Sequence, residues 1–246
     1  MAVNTDKTLQ HQLIYSVFVR NHTPEGTFRA LEHDLDRLST LGTDIVWLMP
    51  IHPIGEVGRK GTLGSPYAIR DYRGVNPEYG TVEDFRHLVD AIHVRGMKCI
   101  IDVVYNHTSP DSWLAENHPE WFYHKPDGSL GNRFGDWWDV ADLDYSHPEL
   151  WDYQIETLKT WARLVDGFRC DVASFVPLEF WRAAREAVRQ TAGEVLTYDG
   201  QLIDAVYFSC SGGATEAAVA VWGTDVPYLQ AVESPGEEAA PRFSSC

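Results

Sequence analysis

The feature that most constrains this chain is a repeated alternation of short apolar runs with longer stretches of helical periodicity. Leu13-Ile-Tyr-Ser-Val-Phe-Val19, Asp44-Ile-Val-Trp-Leu-Met-Pro-Ile51, Lys98-Cys-Ile-Ile-Asp-Val-Val104 and Val165 to Val172 read as strands. The third is apolar on both faces, as strands buried in a parallel sheet are. Between them, Phe28, Leu31, Leu35, Leu38 and Leu41 share one helical face, with Gly42 as a stop. Phe85, Leu88, Val89 and Ile92 form the stripe of a second helix over 81–95, where Thr81 and Asp84 resemble a capping box. Helices over 148–165 and 177–189 complete four strand–helix units. Strands joined by helices demand right-handed parallel crossovers, with function expected at the carboxyl ends of the strands.

That order predicts an α/β chain built as an incomplete (β/α)8 TIM-type barrel. Eight units take about 250 residues, whereas four units here consume residues 1–190 of 246. Residues 105–145 lack periodicity and carry Trp113, Trp121, Phe122, Tyr123, Phe134, Trp137 and Trp138, which marks an inserted subdomain after the third strand. Residues 52–80 form a long Gly- and Pro-rich loop at a strand end, where long loops are usually functional. From 191 to 246 the pattern changes to a small β-rich segment, with Asp199-Gly200 as a hairpin signal. Open edges on a half barrel invite self-association.

The net charge of -16 argues against a nucleic-acid partner and against an anionic membrane surface. No apolar run reaches the length of a membrane span, and the first residues lack a signal-peptide shape, so a cytoplasmic location is expected. Cys99, Cys170, Cys210 and Cys246 are scattered, which predicts reduced thiols and neither a disulfide framework nor a zinc site.

The octet Asp166-Gly-Phe-Arg-Cys-Asp-Val-Ala173 places Arg169 and Asp171 on one side of a strand, roughly 7 Å apart along it. A guanidinium beside a carboxylate keeps it ionised, as a nucleophile requires. Taken alone, the octet is equally read as a structural ion pair at a strand end.

Several ordered motifs over the first 190 residues resemble the α-amylase family, glycoside hydrolase family 13. They are Asp102-Val-Val-Tyr-Asn-His107, Gly167-Phe-Arg-Cys-Asp171, Ser65-Pro-Tyr-Ala-Ile-Arg-Asp-Tyr72 followed by Asn76-Pro-Glu-Tyr-Gly80, and Val140-Ala-Asp-Leu-Asp144. The resemblance implies a retaining reaction on α-glucosidic bonds of an α-glucan or oligosaccharide, by nucleophilic attack and carboxyl-assisted departure. It makes Asp171 the nucleophile and Arg169 its positive neighbour. It makes His107 and Tyr67 sugar contacts, Tyr67 by stacking, and Asp102 a structural residue at the strand ends. Asn106 and Asp142 match positions that hold calcium in many members and in many others do not, so no metal or other cofactor is assigned. Ser174 and Phe175 stand where α-amylases carry a Lys-His pair, which speaks against an endo-acting starch specificity. The family's acid Glu and its second Asp end strands beyond the fourth. Glu194, the nearest candidate, precedes its strand, so negligible turnover is expected.

The stretches Gly193-Glu-Val-Leu-Thr-Tyr-Asp-Gly200, Ala205-Val-Tyr-Phe-Ser209, Ser211-Gly-Gly-Ala-Thr-Glu216, Val221-Trp-Gly223, Pro227-Tyr-Leu229 and Val232-Glu-Ser-Pro235 resemble an interior part of the stage II sporulation protein D family. That implies a peptidoglycan partner for the tail. Phe208 and Ser211 stand where some members place zinc ligands, so no zinc is expected there. The two resemblances together read as a truncated or artificially joined frame. A glycan-binding module without turnover is the alternative to an enzyme.

Overall fold

The computed structural model describes residues 11–133, 136–191, 197–198 and 201–202. The chain divides into two compact units, residues 1–192 and 193–246.

In the first unit, β1 (Ile14–Val17), β2 (Ile45–Leu48) and β3 (Lys98–Val103) lie side by side and parallel. Between β1 and β2 come a one-turn α1 (Val19–His22) and two short helices, α2 (Phe28–Glu32) and α3 (Leu35–Thr40). The sequence predicts one helix across this span. The chain instead turns at His33 and Asp34, where the Asp34 carboxylate is held by His22 at 2.7 Å and Arg37 at 2.6 Å. Leu31, Leu35 and Leu38 remain fully buried through the break, so the apolar stripe survives, but Leu41 past its end is exposed. Helix α4 (Val82–Val94) follows the long loop and starts with the capping box: Thr81 accepts from the Asp84 backbone N–H, and Asp84 accepts from that of Thr81.

After β3 the chain enters the inserted segment. Its two ends are joined as an antiparallel pair, β4 (His107–Thr108) with β5 (Ala141–Asp142). Between them stands α5 (Trp113–Asn117), capped by Ser112. Helix α6 (Pro148–Ala162) opens on a proline, whose missing N–H costs nothing in the first turn. It leads to β6 (Gly167–Cys170), which pairs in parallel with β3, and then α7 (Leu178–Thr191) closes the unit. The sheet order β1-β2-β3-β6 is that of four consecutive barrel units, with β1 and β6 outermost among the described strands. This is the incomplete barrel expected.

Strand alternation sorts the sheet into two faces. Val17, Val46, Leu48, Cys99 and Ile101 pack with Leu31, Leu35, Phe85, Leu88, Ile92 and Trp161 of the helical layer into one core. At ~25 cal/mol per Å2 of apolar surface, each fully buried Leu or Ile here stabilises by about 2 kcal/mol. The registers Trp47↔Ile100, Ile100↔Gly167 and Asp102↔Arg169 line up the opposite face. A second core under the inserted segment contains Tyr72, Tyr105, Leu114, Phe122, Leu150 and Phe180.

In the second unit, β7 (Thr197–Tyr198) and β8 (Gln201–Leu202) are antiparallel with Tyr198 opposite Gln201, as a two-residue hairpin requires. The remaining tail readings, from Glu194 through Phe208 and Ser211 to Pro235, and Asp199-Gly200 itself, lie outside the described residues. Among the described residues no helix is long and apolar enough to cross a membrane. Cys99 and Cys170 are free thiols.

Candidate active site

The site is assembled at the carboxyl ends of β3 and β6. Period-two alternation carries Arg169 and Asp171 to the same face, and the parallel register sets Asp102 directly across from Arg169. The Asp171 backbone N–H donates to the Val103 carbonyl at 2.8 Å, which ties the end of β6 to β3. Arg169 Nη1 then bridges two carboxylates: it lies 3.0 and 3.1 Å from the Asp102 oxygens and 2.7 Å from Asp171 Oδ1. The guanidinium also sits 5.1 Å from the ring centre of Trp47 on β2, a cation–π contact. The alternation in β2 could have put Trp47 on this face, but only the register shows that it lies under Arg169.

The two carboxylates have different surroundings. The Asp102 side chain is fully buried, and burial pushes its pKa up to about 6 against the pull of Arg169. The Asp171 side chain retains 14% of its exposure, so its carboxylate reaches solvent beside the cavity. Burial would lower the Arg169 pKa, but its bonds and charge pairing with Asp102 and Asp171 outweigh that and raise it, so it stays cationic. Asp102 therefore anchors the arginine, and Asp171 is the accessible nucleophile candidate.

Backbone strain marks the next residue. Val172 has φ 37° and ψ 41°, the one left-handed non-glycine residue among those described. For a β-branched side chain that is a true outlier, costing on the order of 1–3 kcal/mol. β6 ends at Cys170, and the left-handed turn at Val172 follows directly after Asp171. A single 3-10 turn (Ala173–Phe175) follows, and Phe175 is exposed.

Two loops wall the site. From the loop after β2, the Tyr67 hydroxyl donates to Asp102 at 3.2 Å, and burial, followed by the charge of Asp102, raises its pKa. That loop closes against the start of the inserted segment through Gly55, where any Cβ would collide with the Ser109 side chain. The Tyr72 hydroxyl, fully enclosed, is 2.7 Å from the Val104 carbonyl and 2.8 Å from that of His107, and so holds the backbone carrying His107. The His107 ring is buried, and burial pushes its pKa down to about 4. Its Nδ1 is 3.1 Å from the Asn106 amide nitrogen. An amide N–H can only donate, so Nδ1 accepts and the neutral ring carries its proton on Nε2. The ring centres of His107 and Trp137 lie 5.2 Å apart in an edge-to-face arrangement.

Together Lys60, Ser65, Tyr67, His107, Trp137, Asp139, Val140, Asp171 and Val172 enclose a cavity of about 250 Å3. The structure thus brings Asp171, Arg169, Asp102, Tyr67 and His107 into one place. Sequence reasoning did not single out Trp47, Lys60, Tyr72, Trp137 or Asp139 as site residues, because each enters through a loop or a register that no local pattern encodes. Among the described residues the carboxylates lining this cavity are Asp139 and Asp171, and no glutamate lines it.

Asn106 and Asp142 line a second cavity beside the site. One Asp142 oxygen accepts from the Arg133 backbone N–H at 2.8 Å and lies 3.4 Å from its guanidinium. The other is buried without a hydrogen-bond partner. Among the described residues no cluster of three or more His, Cys, Asp or Glu could hold a metal.

Comparison with known proteins bears on this geometry. Residues 4–201 match the family described as the alpha amylase catalytic domain. A crystal structure of an alpha-amylase from Lactobacillus plantarum superposes with a TM-score of 0.74 at 62% identity, covering 76% of this chain and 44% of that one. The maltogenic alpha-amylase AmyB from Thermotoga neapolitana gives 0.70 at 45% identity, covering 74% and 44%. The alpha-1,4-glucan:maltose-1-phosphate maltosyltransferase of Myxococcus xanthus (strain DK1622) is 33% identical over 207 residues, covering 74% of this chain and 31% of that protein. The chain thus spans less than half the length of these relatives.

Proposed function

The chain belongs to the α-amylase catalytic-domain family, and from that premise we propose that its site binds the glycone of an α-glucan and attacks it through Asp171. The observation that carries this reading is the Asp171–Arg169–Asp102 array opening on a cavity of about 250 Å3 lined by Tyr67 and His107. The Arg169 guanidinium, 2.7 Å from Asp171 Oδ1, fixes the position of that carboxylate. Its carboxylate oxygen forms a bond to the anomeric carbon as the glycosidic C–O bond breaks, which gives a covalent glycosyl-enzyme and retention of configuration. Tyr67 supplies an aromatic surface to the ring, and the His107 Nε2–H donates to a sugar hydroxyl. Transfer and hydrolysis share this first half.

Departure of an ordinary sugar needs a proton, and general acid catalysis contributes about 10²–10⁴-fold. With no glutamate on the cavity among the described residues, this 246-residue chain is expected to turn over natural α-glucans negligibly. A leaving group that departs without protonation isolates the half of the site that is present. 5-Fluoro-α-maltosyl fluoride incubated with the chain should give a maltosyl adduct, located on Asp171 by peptide mass spectrometry and absent in Asp171→Asn. An adduct elsewhere, or equal labelling of the variant, refutes Asp171 as nucleophile.

A further inference from the structure

We infer that Lys60 and Asp139 form a preorganised clamp for sugar hydroxyls in this cavity and so set which glycone it accepts. The inference rests on the glycan-binding reading above. The pair bridges the two loops that wall the site: Lys60 comes from the loop after β2, and Asp139 from the far end of the inserted segment. Lys60 Nζ lies 2.8 Å from Asp139 Oδ1, whose side chain is 4% exposed. The same ammonium stands 4.7 Å from the ring centre of Trp138. It is thereby held from two sides at a fixed point of the cavity wall.

A surface ion pair alone would have little reason to be built this way. Asp139 is buried, and a buried carboxylate is costly unless paired. The Lys60 side chain retains 35% of its exposure, and an ammonium has three donors. One is spent on Asp139, which leaves donors for a ligand. A donor and an acceptor fixed side by side match two neighbouring hydroxyls, one accepting from the ammonium and one donating to the carboxylate. Tyr67, His107 and Asp171 line the same cavity, so the clamp touches the same ring that Asp171 would attack. The pair is a specificity-determining element, and no proton or covalent step passes through it.

Isothermal titration of maltotriose into the full chain, Lys60→Met, Asp139→Asn and the double variant tests this, with a thermal melt of each. Charge-assisted hydrogen bonds set the expected scale: the chain binds, and Lys60→Met weakens binding by about 10- to 100-fold. Removing both partners relieves the unpaired buried carboxylate, so the double variant melts above Lys60→Met yet keeps the loss of affinity. Binding by Lys60→Met within twofold of the parent, or recovery of parental affinity in the double variant, makes the pair merely structural and overturns the clamp while leaving the glycan reading intact. No maltotriose binding by the unsubstituted chain overturns both.

Discussion

Replacing Asp102 by Asn should make the protein more stable at neutral pH while weakening its site. Asp102 is a carboxylate with a fully buried side chain whose pKa in the fold is about 6, against 3.8 ordinarily, because burial outweighs the stabilisation from Arg169. The gap of roughly two pH units means that keeping the group ionised costs the fold about 3 kcal/mol above pH 6. Between pH 6 and 4 the folded form takes up a proton that the unfolded form does not, so this penalty shrinks as pH falls and is gone well below 4. Asparagine has the shape of the protonated acid and never bears the charge. The variant should therefore exceed the parent by about 3 kcal/mol at pH 8 and by roughly half of that at pH 5.

The comparison must be between the two proteins, because His52 and His107 act in the opposite direction. Both are buried with pKa pushed down to about 4, against 6.5 ordinarily, so acid weakens the fold as pH falls from 6.5 through 4. That loss is common to parent and variant and cancels in the difference. Urea unfolding at pH 8, 6.5 and 5 measures it. A difference that stays constant with pH, or a variant less stable than the parent at pH 8, refutes the account of Asp102 as a group held ionised against its environment. The same variant should lower labelling of Asp171, since Arg169 loses one of its two anchors.

The remaining predictions concern the framework. Val172→Gly removes the cost of a left-handed β-branched residue and should raise stability by up to about 2 kcal/mol. Adduct formation at Asp171 should slow in the same variant, as the turn that aims the carboxylate loosens, and a destabilised variant would show the strain to be absent. Tyr72→Phe deletes the hydroxyl proton shared between the Val104 and His107 carbonyls and should cost about 1–3 kcal/mol in urea unfolding. An unchanged midpoint would mean those carbonyls find other donors.

Much of the first unit is legible in the chain because its signals are local. The strand runs at 44–51 and 98–104, the stripe Phe85, Leu88, Val89 and Ile92, and the Thr81–Asp84 box each need only a few neighbouring residues to be recognised, and each appears in the fold. The broken helix at His33 and Asp34 was not legible, because the residue that draws Asp34 away, His22, comes from a separate helix. Lys60 and Asp139 are 79 positions apart, and neither belongs to a periodic pattern.

The order of the four strands, the sharing of one strand face by Arg169 and Asp171, and the motifs of the α-amylase catalytic-domain family were determined by the sequence itself, since period-two alternation and short motifs are local properties of the chain. The tertiary structure decided the rest. Only the parallel register of β3 and β6 sets Asp102 opposite Arg169, and only burial then separates two chemically identical carboxylates into a buried anchor and an accessible nucleophile candidate. Desolvation depends on what the whole fold packs around a group, and no run of residues carries that information alone.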